Sequence, residues 1–379
     1  MKKFRLLATT AFGTEGITKK EVKKLGFENI NVENGKVFFD SDKEGIVKAN
    51  LWLRTASKIY WVIGEFESLS FSDLYDKVYD LPWEKIFNKN ASFPVNAKSV
   101  KSTLFSLPSI QSISKKAIVD KLKDKLHVDV LDESEEEYEI LVDVLKDKVT
   151  IRINTTGEGL FKRGYRIEKN DAPMRETLAA TLVDISNWNF RIPLVDPLCG
   201  TGTILIEAAL KGKNIAPGLY RSFEFEKWPF MKAEFVEEER NIAKSQISEN
   251  ELILRGYDID EEVIEIAKAN AIRAGVSEYI KFEVRDLKNF ESDINYGYII
   301  SNPPYGERLG TYDEAKYIND LLGKIFIKLD NWSMYIFTAF EEFETVFTKK
   351  STKNRKMYNG KIKCYFYQYY GKRPPKKRQ

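Results

Sequence analysis

Ser301-Asn302-Pro303-Pro304-Tyr305-Gly306 combines groups that could hold a flat ring carrying an amine. Asn302 has an amide oxygen that accepts hydrogen bonds. Pro303 and Pro304 remove two backbone donors and stiffen the loop. The carbonyl beside them meets no competing donor from the next residue, and Tyr305 offers a flat face. Together these groups suit accepting the hydrogens of an exocyclic amine while an aromatic side chain grips the ring that bears it. The same residues also make an ordinary rigid turn after a strand, so the rest of the chain has to decide.

Three more polar signatures follow short apolar runs. Asp196-Pro197-Leu198-Cys199-Gly200-Thr201-Gly202-Thr203 is glycine-rich, as a backbone that approaches a ligand and turns sharply into a helix must be. It is not a Walker loop, and Leu205 spoils a Gly-x-Gly-x-x-Gly reading. A plain strand-to-helix turn is the other reading. Asp258 closes the run Leu252 to Tyr257, where a carboxylate can accept from ribose hydroxyls. Asp260, two residues on, is better placed as a helix cap. Asp286, followed by Leu287, closes Ile280 to Val284 and could accept from an adenine amine, although capping alone also explains it.

The inventory limits the chemistry. With two cysteines and one histidine in 379 residues, the usual Cys/His zinc sites cannot be assembled within the chain, so no metal is expected. His127 lies in Lys125-Leu126-His127-Val128-Asp129 without a nucleophile motif, which argues against a Ser-His-Asp triad. It reads as a surface residue at a helix end. The free-cysteine pattern fits a reducing, cytoplasmic setting. No apolar run is long enough to cross a membrane, and Gly13, Glu15 and Lys19 interrupt the basic start too early for a signal peptide. A net charge of +3 is too small to mark a nucleic-acid binder by itself.

The elements that must position these residues can be read in order. Residues 1–66 show strand, helix, two strands about Asn34-Gly35, helix, strand, the order of a split βαβ unit. Thr14 is expected to cap the first helix, Ile17 to Leu25. The second is expected over Gly45 to Tyr60, with Ile46, Ala49, Leu53 and Ala56 on one side. Residues 67–156 hold a short helix from Asp73, a strand at Phe93 to Lys98, a helix from Pro108 to Lys125, and paired strands at Tyr138 to Leu145 and Lys148 to Thr155. Lys98, Lys101, Lys115, Lys116, Lys121 and Lys123 cluster there, but a solvated helix face explains them equally, and Asp132 to Glu139 is acidic. Gly157 to Arg166 is read as a hinge. From Pro173, expected in the first turn of a helix, strands alternate with helices. That alternation marks an open, mainly parallel sheet covered on both faces. Such sheets bind ligands beyond the carboxyl ends of their strands, and all four polar signatures fall there.

The Asp-Pro-x-Cys-Gly-Thr-Gly turn, the Gly-x-Asp and Arg-Asp strand ends and the Asn-Pro-Pro-Tyr loop resemble the class I (Rossmann-like) S-adenosylmethionine-dependent methyltransferases that act on amino groups. The likeness covers residues 157–370. Arg163-Gly164-Tyr165-Arg166 with Ala172-Pro173-Met174-Arg175-Glu176-Thr177 resembles, more narrowly, RNA methylases that carry an N-terminal THUMP domain. The whole chain is similar to bacterial THUMP-containing guanine-N2 methyltransferases of ribosomal RNA, a family often labelled adenine-specific DNA methylases because of the shared Asn-Pro-Pro-Tyr.

The resemblance implies an α/β catalytic domain at 157–370 behind a ferredoxin-like module (1–66) and a THUMP RNA-binding module (67–156). A basic tail (371–379) would add phosphate contacts or serve only as a solubilising end. It implies S-adenosyl-L-methionine as cofactor. Asp196, Pro197, Cys199, Gly200, Thr201 and Gly202 would line its methionine part, with Thr177 closing over it. Asp258 with Ile259 would hold the ribose, and Asp286 with Leu287 the adenine. Asn302 and the Pro303 carbonyl would hold the target amine, with Pro304 stiffening the loop and Tyr305 stacking on the base. RNA is the expected partner, ribosomal ahead of transfer RNA. Adenine-N6 methylation of DNA and a non-enzymatic RNA-binding role with a vestigial pocket are the competing readings.

Overall fold

The computed structural model describes residues 3–166, 174–305 and 311–372. Its first half contains β1 (Phe4–Thr9), α1 (Glu15–Lys24), β2 (Glu28–Glu33), β3 (Lys36–Ser41), α2 (Lys43–Trp52) and β4 (Lys58–Glu67). These strands pair antiparallel in the order β2-β3-β1-β4, the split βαβ arrangement. Gly35, at φ +71°, makes the hairpin turn between β2 and β3. Asp42 caps α2 by accepting from the Gly45 amide at 2.9 Å.

Next come α3 (Phe71–Tyr79), β5 (Val95–Val100), α4 (Leu107–Leu126), β6 (Ile140–Leu145) and β7 (Lys148–Asn154). β7 pairs antiparallel with β6 on one side and with β4 on the other. The two N-terminal modules therefore share one seven-stranded sheet, β2-β3-β1-β4-β7-β6-β5. One apolar cluster runs through both, from Leu6, Val37 and Ile46 to Trp83, Ile110 and Ile151.

The remainder holds α5 (Glu176–Ile185), β8 (Leu194–Asp196), α6 (Thr203–Gly212), α7 (Ala233–Ser245), β9 (Leu254–Asp258), α8 (Glu261–Arg273) and β10 (Ile280–Val284). β11 (Tyr298–Ser301), α9 (Tyr312–Ile327), β12 (Ser333–Thr338), α10 (Phe343–Val346), β13 (Lys353–Asn359) and β14 (Ile362–Tyr369) complete it. The second sheet has the order β10-β9-β8-β11-β12-β14-β13. β10 to β12 are parallel, and β14 lies antiparallel between β12 and β13. The order reverses at β8, so the crevice of the fold opens between β8 and β11. All six residues of β12 are buried, as expected of a strand covered on both faces. No helix among the described residues is long and apolar enough to cross a membrane.

Several expectations need correction. The second helix stops at Trp52, well before Tyr60. The Glu21 carboxylate, reaching from α1, accepts the Arg54 and Thr55 amides at 3.1 and 3.0 Å, and holds the chain in a bend there, after an extended Leu53. Thr14 stands at the start of α1 but does not cap it; its hydroxyl donates to the Ala11 carbonyl. α7 was not anticipated, because only Val236 and Ala243 of its charged sequence are buried.

The stretch read as a hinge is a fastening instead. Arg221 donates to the carbonyls of Glu158, Gly159 and Lys162. The buried Arg163 guanidinium donates to the Leu160 and Arg54 carbonyls and lies 3.4 Å from Glu207 on α6. Arg54 in turn donates to the Ile215 carbonyl at 2.7 Å. Trp228, from the connection before α7, stacks on Tyr138 in the N-terminal core at 4.9 Å between ring centres. The two halves are thus joined by buried polar and aromatic contacts. Ala172 and Pro173 lie outside the described residues, and the helix they were expected to start begins at Glu176.

Candidate active site

β8, β9, β10 and β11 are parallel neighbours, so their carboxyl ends come out on one edge of the sheet. That placement brings the four sequence signatures together. Gly306 lies outside the described residues; Asn302 to Tyr305 lie within them.

The glycine turn after β8 uses its two glycines differently. Gly200 has φ +51°, and a Cβ built on it would meet nothing within 4 Å. Open space lies over that backbone, room for a ligand. Gly202 has φ +80°, and a Cβ there would lie 2.8 Å from the Phe282 ring and 3.2 Å from Ala267. It lets α6 pack closely against β10 and α8. The Gly202 amide closes the turn onto the Cys199 carbonyl at 2.9 Å. Asn270 of α8 donates to the Thr201 carbonyl at 3.2 Å. Cys199 is buried, and burial pushes its thiol well above the usual range.

Asp196 is 1% exposed. Its Oδ1 accepts from the Ser301 hydroxyl at 2.7 Å and from the Leu198 amide at 3.2 Å. Burial pushes its carboxyl up to about 7 despite these donors. The bond to Ser301 ties the end of β8 to the start of the Asn302 loop, across the crevice. Pro197 is buried beside it.

Asp258 bridges two strand ends. Its Oδ2 accepts from the Gly200 amide at 3.0 Å and its Oδ1 from the Asp260 amide at 3.2 Å. Asp260 caps α8 by accepting from the Glu262 and Val263 amides, the role expected of it. Ile259 between them is 68% exposed, an apolar surface beside a carboxylate. Asp286 caps the short turn at Leu287–Asn289 and pairs with the Lys288 ammonium at 2.8 Å. Lys288, through that bond, lowers its carboxyl below the ordinary value. Leu287 is buried beneath it.

In the Asn302 loop, the Asn302 Oδ1 is buried and has no hydrogen-bond partner among the described residues. A buried acceptor left unpaired is costly, on the order of 1–3 kcal/mol, and calls for a donor beyond the described residues. Tyr305 packs against the core under the loop, and its hydroxyl receives a hydrogen bond from Asn359 Nδ2 at 3.2 Å. Asn359 ends β13, so the β13–β14 turn steadies the aromatic ring. Thr177, in the first turn of α5, is buried; its carbonyl accepts from Thr181. The Arg166–Glu176 ion pair and the Arg166 bonds to the Met174 carbonyl and Thr203 hydroxyl join that turn to α6.

Reading single residues missed Ser301, Asn270 and Asn359 as supports of the site. Ser301 stood in view as the residue before Asn302, but nothing local gives its partner.

These residues fit a nucleoside-containing cofactor: an open glycine backbone after β8, a carboxylate and an exposed isoleucine after β9, and after β11 an acceptor without a partner among the described residues. Residues 163–368 match the RMKL-like methyltransferase domain, residues 5–60 the RlmL ferredoxin-like domain and residues 69–154 the THUMP domain. The Bacillus subtilis protein YpsC, provisionally named an RNA methyltransferase, is 43% identical over 383 residues, covering all of this chain and 99% of that one. A Listeria monocytogenes protein, labelled by prediction an N6-adenine-specific DNA methylase, is 43% identical with a TM-score of 0.94 over 98% of this chain and 97% of its own. SMU.472, provisionally called a methyltransferase and solved with S-adenosylhomocysteine, is 43% identical with a TM-score of 0.94 over 99% and 100%. The strand order, the four converging strand ends and these likenesses agree, and the chain belongs to the family of THUMP-containing methyltransferases built on the RMKL-like methyltransferase domain.

Proposed function

We propose that the protein methylates the exocyclic amine of a base in RNA, with guanine N2 of 23S ribosomal RNA ahead of guanine N2 in transfer RNA. The enzyme is a methyltransferase and its cofactor is S-adenosyl-L-methionine, which when bound supplies an electrophilic methyl group on a sulfonium. The observation that supports the amine assignment is the buried Asn302 Oδ1 at the end of β11, which has no hydrogen-bond partner among the described residues.

An exocyclic amine on a purine is a poor nucleophile because its lone pair is delocalised into the ring. Asn302 Oδ1 and the Pro303 carbonyl each accept one of its hydrogens, turn them out of the ring plane and leave the lone pair localised. This is catalysis by orientation and fixed dipoles. Tyr305, held by Asn359, stacks on the base. Ser301, bonded to Asp196, fixes where the loop leaves the sheet. Asp258 and the Gly200 backbone hold the ribose and methionine portions of the cofactor, with Ile259 beside them. Asp286 and Leu287 take the adenine edge, and Thr177 covers the methionine end. A base stacked in a helix cannot enter such a pocket, so the target is unpaired or turned out. The THUMP match and the name of YpsC support RNA as the substrate.

The test is methyl transfer from labelled S-adenosylmethionine to ribosomal RNA from cells lacking the gene, to unmodified transfer RNA and to duplex DNA, with digestion to nucleosides. N2-methylguanosine from ribosomal RNA is the expected product. N6-methyladenine from DNA would overturn the substrate assignment and leave the amine chemistry standing. Undiminished turnover by Asn302→Ala would overturn the mechanism.

A further inference from the structure

A cleft of about 780 Å³ lies between the first N-terminal module, the start of α5 and the β13–β14 turn. Its walls come from three places: Thr10, Phe12 and Ser57 of the module, Arg175 and Thr177 at α5, and Tyr358 to Lys361 at the turn. The volume falls within the range of about 300–1,000 Å³ that holds an organic ligand. The cleft adjoins the active site at two points. Asn359 in its wall carries the hydrogen bond to Tyr305, and Thr177 belongs to the turn expected over the cofactor.

Its chemistry is specific. Among the described residues no carboxylate lines it, while Arg175 and Lys361 do. Phe12 is 63% exposed, and its ring leans on the β2–β3 turn, about 3.6 Å from where a Cβ on Gly35 would stand. Tyr358 on the opposite wall is 37% exposed, with the Lys356 ammonium 5.7 Å from its ring centre. Arg175 lies over the Phe161 ring at 4.6 Å. The Phe12 loop does not float: Arg355 of β13 donates to the Gly13 carbonyl at 3.4 Å, which joins the two walls. Exposed rings beside cations are what single-stranded nucleic acid requires: stacking for bases and counter-charge for phosphates.

We infer that this cleft holds the nucleotide next to the target base, with Phe12 stacking on its ring and Arg175 and Lys361 facing its phosphates. The inference rests on RNA being the substrate. It gives the first module a direct part in choosing the substrate, separate from the THUMP module.

The experiment uses the full chain and ribosomal RNA from cells lacking the gene. Phe12→Ala is expected to raise KM for that RNA about tenfold, the size of a lost base stack, while kcat falls less than threefold. Phe12→Trp restores the wild-type KM. Lys361→Glu raises KM and lowers the slope of log affinity against log salt by about one contact. S-adenosylhomocysteine affinity and the melting temperature serve as controls on folding, and both variants are expected to match wild type in them. Wild-type protein that methylates no RNA would overturn the substrate reading itself. Active wild type with both variants unchanged in KM would overturn the cleft assignment alone, as would a loss confined to kcat.

Discussion

The two sheets have equal strand counts and place chemistry in opposite ways. In the second sheet, β10, β9, β8 and β11 run parallel, so four strand ends meet on one edge and each brings a candidate residue there. In the first sheet most neighbours are antiparallel, and successive strand ends leave on opposite edges. No comparable convergence is available there, and what it offers instead is faces, loops and a cleft shared with the other half. Parallel strands concentrate function in few residues; antiparallel ones distribute it.

This contrast can be broken at several points. If the second sheet concentrates its chemistry, Asn302→Ala should lower kcat by about 10²–10³-fold or more, the scale of one lost transition-state contact. S-adenosylhomocysteine affinity, measured by calorimetry, should stay within about threefold. The join between the sheets should show as stability. Arg163→Met leaves the Glu207 carboxylate buried without its cation in a pair only 2% and 0% exposed. The cost expected is about 3–5 kcal/mol in urea unfolding.

The glycine turn separates packing from binding within four residues. Gly202→Val should cost about 3 kcal/mol, through its positive φ and its clash with Phe282. Gly200→Ala should cost only about 1 kcal/mol, yet weaken S-adenosylhomocysteine binding about tenfold.

Asp196 adds a pH dependence. Its carboxyl is near 7 when folded, above its ordinary 3.8, so the native state keeps a proton that the unfolded chain releases. Stability from this group is present below about pH 4 and is lost as pH rises through about 7. The loss is up to about 4 kcal/mol at 1.36 kcal/mol per unit. Asp196→Asn should flatten that slope in denaturation series from pH 4 to 8. The smallest effects belong to the first half: Lys98→Ala or Lys101→Ala should each change RNA affinity about twofold, with a slightly shallower salt dependence. A large loss from either lysine would contradict a distributed surface.

How far the sequence led follows the same division. Asp196, Asp258, Asp286 and Asn302 were visible because each is a polar residue closing a short apolar run, a signal contained within a few positions. Ile280–Val284 and Ser333–Thr338 were legible in full for that reason. The supports were not. Ser301 bonds Asp196 across 105 residues, and Asn359 bonds Tyr305 across 54. No local pattern encodes such partners. The early end of α2 has the same origin, since a glutamate on another helix decides it. The supposed hinge failed because Gly157 and Gly164 read as freedom, while Arg163 and Arg221 fasten the stretch from both sides.

The pairing of β4 with β7 bears on how the chain leaves the ribosome. β4 is complete at Glu67, but its second partner does not begin until Lys148. Throughout the synthesis of the intervening residues a ten-residue strand carries one unpaired edge, the condition that invites wrong pairing with other chains. The polar outer residues Lys58, Glu65 and Glu67 on that strand are then a safeguard for the nascent state as well as surface for the finished one. The first module becomes a closed unit only when the second has been made.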